Sequence, residues 1–176
     1  MSEIICKEKL HVIIENHPFH ESLNSKILKE TVNVSYTESG TVLGGKASNV
    51  RASKTTDFKI SSPSLEVIYE WILNILGSRS KTSFCSFTIP DAWLANYSVK
   101  EFTVSHCHPS PFSFVYFVRC PKGSSPLIFT TSGKKIKAEE GKVVIFPGNI
   151  LHHVPENKCD GRITLAGNVN VRWYKE

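Results

Sequence analysis

The chain has 176 residues, of which 40% are hydrophobic and 21% charged, a composition that suits a globular core and excludes a disordered or fibrous protein. Its net charge of +5 is dispersed, without a dense basic stripe or a nucleic-acid motif, so no specific nucleic-acid binding is expected. No apolar run approaches the roughly 20 residues of a membrane span, and the first residues lack the apolar segment of a signal peptide, so neither a membrane partner nor a secretory leader is expected.

We expect a single domain over residues 1–176, in which residues 1–80 supply a strand and helices that pack on the remainder. Residues 9–14 have the composition of a β-strand and end at a His-Pro turn. Apolar residues at helical spacing then predict a helix over residues 19–31. The stretch 36–62 is rich in Gly, Ser, Thr and Lys, which indicates a loop with at most one short strand. Whether this loop covers a site stays open.

A second helix is predicted to begin at Ser62 and Pro63, which suit the cap and the first helical position. Its apolar residues recur along one face as far as Leu76, and Gly77 is predicted to end it. This apolar face is interpreted as a packing surface without a function.

After residue 80 the sequence changes to short β-strands separated by turns that contain Gly and Pro. The predicted strands are Ser83–Ile89, Val99–His106, Phe112–Val118, Pro126–Thr130, Lys142–Phe146 and Gly161–Val169. Short strands of this kind predict a mainly β protein with flanking helices, whose core is a double-stranded β-helix, the jelly-roll or cupin-like barrel, over residues 81–176.

Five cysteines are scattered along the chain, odd in number and without a CxxC pair: Cys6, Cys85, Cys107, Cys120 and Cys159. This pattern argues against a disulfide framework and favours free thiols in a reducing compartment. We therefore expect a cytoplasmic protein.

Histidines are concentrated at two places in the β-rich half. His106 and His108 lie two residues apart on a predicted strand and so share a face, whereas Cys107 faces the other way and is interpreted as a small buried residue. His152 follows a strong strand and a Pro-Gly turn, and its neighbour His153 is predicted to point outward. Three imidazoles on one face predict a metal site, although Fe, Zn, Cu and Ni all accept this ligand type.

Arg162 opens the last predicted strand, which otherwise has the composition of a buried strand. An unpaired interior charge is costly, so the guanidinium needs an anionic partner, and its planar fork suits a carboxylate. Thr164 lies two residues further on the same face. An internal salt bridge or an exposed edge strand is the alternative, but next to a metal site a bound dicarboxylate is favoured.

These residues lie in four segments that together resemble the 2-oxoglutarate–Fe(II) oxygenase superfamily, in particular its small members from bacteria and tailed phages. The segments are HCHPSPFSFVYFV (106–118), PLIF (126–129), GKVVIFPGNILHHV (141–154) and GRITLAGN (161–168). The resemblance covers residues 90–170 well and the N-terminal half loosely.

The resemblance implies an Fe(II)- and 2-oxoglutarate-dependent dioxygenase, a hydroxylase that uses O2, located in the host cytoplasm if it is encoded by a phage. It implies that His106 and His152 ligate the iron, and that Arg162, assisted by Thr164, binds the far carboxylate of the 2-oxoglutarate cosubstrate. His108 stands where the superfamily usually has a carboxylate, so its ligation stays open.

Trp93, Asn96 and Tyr116 are further candidates for the cofactor-binding pocket, although Trp93 and Tyr116 suit a core position equally well. The primary substrate is unknown. An extended N-terminal strand could support a homodimer, and this too stays open.

Two other functions remain. A cupin-type metalloprotein would share the architecture but would not need Arg162. The glutamate that usually follows the HxH pair in cupins is missing here. A non-catalytic jelly-roll binding or assembly module would need neither metal nor cosubstrate.

Overall fold

A computed structural model of the chain describes residues 9–37, 49–80 and 84–174. In chain order the elements are β1 (Ile13–Asn16), α1 (His20–Glu30), β2 (Val50–Arg51), β3 (Ser53–Lys54), α2 (Pro63–Arg79), β4 (Cys85–Tyr97), β5 (Phe102–His106), β6 (Phe112–Arg119), β7 (Leu127–Phe129), β8 (Lys134–Ile136), β9 (Lys142–Pro147), β10 (His152–Val154) and β11 (Arg162–Trp173).

The strands form two antiparallel sheets. The larger sheet has the order β1-β9-β6-β11-β4-β3, and the smaller sheet has the order β2-β5-β10-β7-β8. Long strands β4 and β11 pair along most of their length and form the centre of the larger sheet. Because most neighbours in each sheet are distant in sequence, residues from the two ends of the β-rich half come together between the sheets.

Alternation along the strands of the larger sheet produces two separate cores. On β6, Phe114, Tyr116 and Val118 face the two helices, whereas Phe117 faces the smaller sheet. Strand β9 alternates in the same way, with Ile145 toward the helices. The helices therefore cover the outer face of the larger sheet, and the candidate site residues lie between the sheets.

Helix α2 begins as predicted, since the Ser62 hydroxyl accepts a hydrogen bond from the backbone N–H of Leu65 at 3.3 Å and Pro63 occupies the first turn. The prediction that Gly77 ends the helix is wrong. The helix continues to Arg79, and a Cβ at Gly77 would meet nothing within 4 Å, so the glycine has no steric role there.

Most predicted strands occur with shifted ends. Strand β1 begins at Ile13 rather than at residue 9, and β11 runs to Trp173 because its far half pairs with the beginning of β4. The described part of the 36–62 stretch contains two short strands, β2 and β3, while residues 38–48 lie outside the described residues. None of the helices in the described ranges has the length and apolar character needed to cross a membrane.

Candidate metal centre

Three histidine side chains converge between the sheets. His106 ends β5, and His152 begins β10 directly opposite it in the antiparallel register. His108 follows two residues after the end of β5. One ring nitrogen from each of the three lies within 4.8 Å of the others, which is close enough for one metal ion to contact all three.

Backbone carbonyl groups orient two of these rings. Nδ1 of His106 donates to the carbonyl oxygen of Val104 at 2.8 Å, and Nδ1 of His152 donates to that of Ile150 at 2.9 Å. Since a carbonyl can only accept, the proton of each neutral ring is on Nδ1 and the lone pair is on Nε2. Nε2 is therefore the nitrogen that each ring offers to a metal.

Burial keeps the three imidazoles neutral. It lowers the pKa of His106, lowers that of His152 to about 4, and lowers that of His108 to about 3. The positive charges that the neighbouring histidines and Lys54 would contribute depress the pKa of His108 further. Neutral imidazole is the form that ligates metals, so the cluster is competent for binding at neutral pH.

The segment that carries His108 is held by the Pro-Gly turn after β9. The backbone N–H of His108 donates to the carbonyl oxygen of Gly148 at 2.8 Å, and the N–H of Gly148 donates to that of Pro111 at 3.1 Å. A Cβ at Gly148 would collide with the carbonyl oxygen of Ser110. The Trp93 ring stacks on His108 from the other side, with ring centroids 6.2 Å apart.

The histidines line a cavity that is also lined by Arg162 and Thr164. Arg162 is fully buried, and its Nε donates to the carbonyl oxygen of Ser125 at 3.0 Å. Its guanidinium lies over the Tyr97 ring, 4.5 Å from the centroid. Among the described residues, neither Nη1 nor Nη2 has a hydrogen-bond partner. This guanidinium is thus held in the protein without an anionic partner among the described residues.

The surroundings of Arg162 include residues that the sequence analysis did not select. Tyr97 lies directly opposite Arg162 in the β4–β11 register, and its hydroxyl shares a 2.7 Å hydrogen bond with Thr103. Asn157 accepts from the backbone N–H of Ser125 at 2.9 Å and so fixes the carbonyl group that holds Arg162. Only the tertiary structure shows these roles, since neither Tyr97 nor Asn157 has a local sequence signal for them.

Two residues predicted for the pocket lie elsewhere, and we correct that prediction. Tyr116 is buried on the helix-facing side of the larger sheet, where its hydroxyl donates to Oδ1 of Asn24 at 2.7 Å. Asn96 is not among the residues that line the cavity, because alternation along β4 directs Ala95 and Tyr97 into it instead. Trp93, which was equally well explained as a core residue, does line the cavity.

Two neighbours of the histidine ligand candidates face away from the cluster. Nδ1 of His153 shares a 2.9 Å hydrogen bond with the Thr130 hydroxyl and is outside the group whose nitrogens converge. Cys107 is also outside that group. The interpretation of Cys107 as a small buried residue is wrong, since β5 has ended at His106 and the thiol is exposed.

No protein-family model matches the chain, and no curated protein sequence matches it significantly. Solved structures do match. The viral collagen prolyl hydroxylase of Paramecium bursaria Chlorella virus-1, in complex with 2-oxoglutarate, has a TM-score of 0.65 at 13% identity, over 90% of this chain and 94% of that one. A 2-oxoglutarate–Fe(II) oxygenase family protein from Burkholderia pseudomallei has a TM-score of 0.67 at 13% identity, over 90% and 84%.

A third similar structure is HygX from Streptomyces hygroscopicus with nickel, 2-oxoglutarate and hygromycin B bound, with a TM-score of 0.65 at 10% identity, over 90% of this chain and 82% of that one. These likenesses cover nearly all of each chain and agree with the two-sheet topology described above. The chain therefore has the double-stranded β-helix fold of the 2-oxoglutarate–Fe(II) oxygenases.

Proposed function

We propose that the protein is an Fe(II)- and 2-oxoglutarate-dependent dioxygenase, acting as a hydroxylase. The observation that carries this proposal is Arg162, a buried guanidinium that shares a cavity with three converging imidazoles and has two nitrogens without partners among the described residues. An unpaired buried cation is costly to keep, and a bound carboxylate would remove that cost.

The donor set fits iron and its cosubstrate. His106, His108 and His152 would hold the metal, the first and last through Nε2. Three neutral ligands leave a divalent ion with its full positive charge, which a dianionic cosubstrate would neutralise. When bound, Fe(II) and 2-oxoglutarate supply the activation of O2, coupled to oxidative decarboxylation to succinate and CO2, that inserts oxygen into a C–H bond.

The residues of this chain would then bind and orient 2-oxoglutarate and shield the site from water. The two free nitrogens of Arg162 would hold the far carboxylate of 2-oxoglutarate as a bidentate pair, with the Thr164 hydroxyl as an additional donor. Apolar residues from both sheets, among them Val115, Leu127 and Phe146, line the same cavity and would exclude water from it.

The test is anaerobic titration of the Fe(II)-loaded protein with 2-oxoglutarate, followed by the visible charge-transfer band. We expect a band in the wild type, and we expect Arg162→Met to weaken cosubstrate binding by at least about 30-fold, because losing one partner of a buried charge pair costs roughly 2–5 kcal/mol. Arg172→Met removes an exposed guanidinium from the same strand and should leave the titration unchanged.

Metal content is measured in the same samples and in His106→Ala, His108→Ala and His152→Ala. Loss of iron in all three variants supports three-histidine ligation. A protein that binds iron but shows no charge-transfer band with 2-oxoglutarate contradicts cosubstrate binding and favours a cupin-type metalloprotein. A protein that never retains iron contradicts the whole proposal.

A further inference from the structure

A second cavity adjoins the one that contains the histidines. It is lined by Lys54, the segment 55–58, Asp91, Trp93 and Asn168. Trp93 lines both cavities and stacks on His108, so the indole forms their common wall. A molecule seated in the second cavity would therefore lie next to the candidate metal centre.

Opposite charges face this cavity without forming an ion pair. Lys54 Nζ lies 4.1 Å from the centroid of the Trp93 ring, and Asp91 Oδ1 accepts from Nδ2 of Asn168 at 2.7 Å. In the part of the chain that the structure describes, no ion pair within 4.0 Å joins Lys54 to Asp91. Both groups are partly buried, and burial is the largest cause that lowers the pKa of Lys54 and raises that of Asp91, while each charge acts on the other in the opposite direction.

The two charged groups are held by the surrounding backbone and side chains. Oδ1 of Asn168 accepts from the hydroxyl groups of Ser110 at 3.0 Å and Ser113 at 2.9 Å, which directs its Nδ2 toward Asp91. The carbonyl oxygen of Lys54 accepts from the backbone N–H of Thr37 at 2.8 Å and from its hydroxyl at 3.1 Å. This support keeps the lysine strand against β4, so the charges are positioned before any ligand binds.

We infer that this cavity binds the primary substrate and that the substrate is a free α-amino acid. The inference rests on the proposed function and names its substrate class. Asp91 would accept the α-ammonium group and Lys54 would bind the α-carboxylate, so a single zwitterion satisfies both charges. The amino acid side chain would pass Trp93 toward the histidines.

The charges favour a free amino acid over a residue within a peptide. A residue within a peptide has neither an α-ammonium nor an α-carboxylate, so it would give neither Lys54 nor Asp91 an oppositely charged ligand group. Asp57 adds an exposed negative charge at the rim of the cavity, next to the exposed ring of Phe58. Two carboxylates and one ammonium give a net negative wall, which disfavours substrates that carry only negative charge.

The experiment measures binding of the twenty common L-amino acids to the nickel-loaded protein with 2-oxoglutarate, by calorimetry and ligand-observed NMR. Nickel suits imidazole ligands and makes the readout independent of turnover. Each amino acid that binds is compared with its N-acetyl and its C-terminal amide form. The variants are Lys54→Met and Asp91→Asn, and the matched controls are Lys134→Met and Glu70→Gln, which neutralise exposed charges elsewhere.

We expect at least one free amino acid to bind and both of its blocked forms to bind at least about tenfold more weakly. Each cavity variant should show a similar loss of affinity for the free amino acid, and neither control variant should show it. Blocked and free forms that bind equally would overturn the inference. So would protein that binds nickel and 2-oxoglutarate but no amino acid, a result that leaves the proposed function intact. Failure to bind nickel or 2-oxoglutarate contradicts the proposed function instead.

Discussion

Arg162 is a buried charge without the partner that such a group usually has. A fully buried guanidinium normally has a carboxylate partner, whereas here the described residues give it a hydrogen bond to one carbonyl group and contacts with two aromatic rings. The histidines show the same feature, because three imidazoles are packed together in a site that depresses their pKa values. A function that needs these groups explains why the core contains them.

This view predicts opposite effects of one substitution on stability and on ligand response. We expect Arg162→Met to leave the metal-free protein at least as stable as the wild type, because each buried polar group without a partner costs about 1–3 kcal/mol. Leu165→Ala, a buried substitution on the same strand, should instead cost about 2–5 kcal/mol. Urea unfolding of the three proteins measures this, and a loss in Arg162→Met as large as in Leu165→Ala would make Arg162 a structural residue.

At the scale of secondary-structure elements, the turn after β9 sets the position of the third histidine. Gly148 exchanges backbone hydrogen bonds with the segment that carries His108, and no side chain can be added to it without moving Ser110. The turn is therefore part of the metal centre, although it provides no ligand.

Gly148→Ala should displace the segment 108–111 and weaken metal binding by roughly 10–100-fold, the usual effect of losing groups that orient metal ligands. Gly77→Ala is the control for a general effect of the added methyl group, since a Cβ there meets nothing within 4 Å and Gly77 does not have a positive φ. Competition with a chromogenic chelator measures the affinity. Equal affinities in Gly148→Ala and the wild type would show that His108 does not depend on this turn.

The two helices are joined by a carboxylate at the end of α1. Glu30 accepts hydrogen bonds from the Ser62 hydroxyl at 2.7 Å, the Ser64 hydroxyl at 2.8 Å and the Ser64 backbone N–H at 3.0 Å. These bonds lower the pKa of Glu30, with the Ser62 hydroxyl as the largest contributor. A negative charge at the N-terminus of α2 also interacts favourably with the helix dipole.

Glu30→Gln should destabilise the protein at pH 7 by about 0.5–1 kcal/mol, a modest amount because the carboxylate is exposed and screened. Since the folded-state pKa is depressed, this stability is present above the unfolded-state value of about 4.5 and is lost as the pH falls through the folded-state value. The melting-temperature gap between the wild type and Glu30→Gln should therefore close in acid. Glu70→Gln should show no such gap, and a gap independent of pH would exclude the charge as its cause.

At the scale of the whole molecule, the candidate site combines residues from three strands that are distant in sequence. His106 lies on β5, His152 on β10 and Arg162 on β11, so ligands bound between them would bridge both sheets. A ligand that binds only the folded state stabilises it in proportion to its affinity.

Nickel at about 100 times its dissociation constant should raise stability by about 2.7 kcal/mol, which corresponds to roughly 5–10 °C in melting temperature for a protein of this size. 2-Oxoglutarate should add to this increase only when the metal is present. Differential scanning calorimetry with and without chelator measures both steps. His152→Ala should lose the increase, and an unchanged increase in that variant would place the metal elsewhere.

The sequence by itself determined the class of fold and selected the candidate metal ligands, which the structure brings together. Strand alternation and Gly-Pro turns indicated the double-stranded β-helix, because side-chain period and turn chemistry are local properties of the chain. The same alternation predicted that His106 and His108 share a side, and the structure brings them together although His108 lies beyond the end of β5. Of the neighbours His152 and His153, only His152 joins the cluster. Arg162 was selected because a charge in an apolar strand is anomalous wherever the strand lies.

Only the tertiary structure decided the features that depend on strand pairing, because strands that are distant in sequence become neighbours. Tyr116 and Asn96 were predicted for the pocket, yet the larger sheet has cores on both faces, and composition does not tell which face a residue adopts. Tyr97 came to lie beneath Arg162 through the β4–β11 register, and Lys54 reached Trp93 through the pairing of β3 with β4. Such strand pairings depend on packing across the whole chain, so local sequence patterns do not predict them.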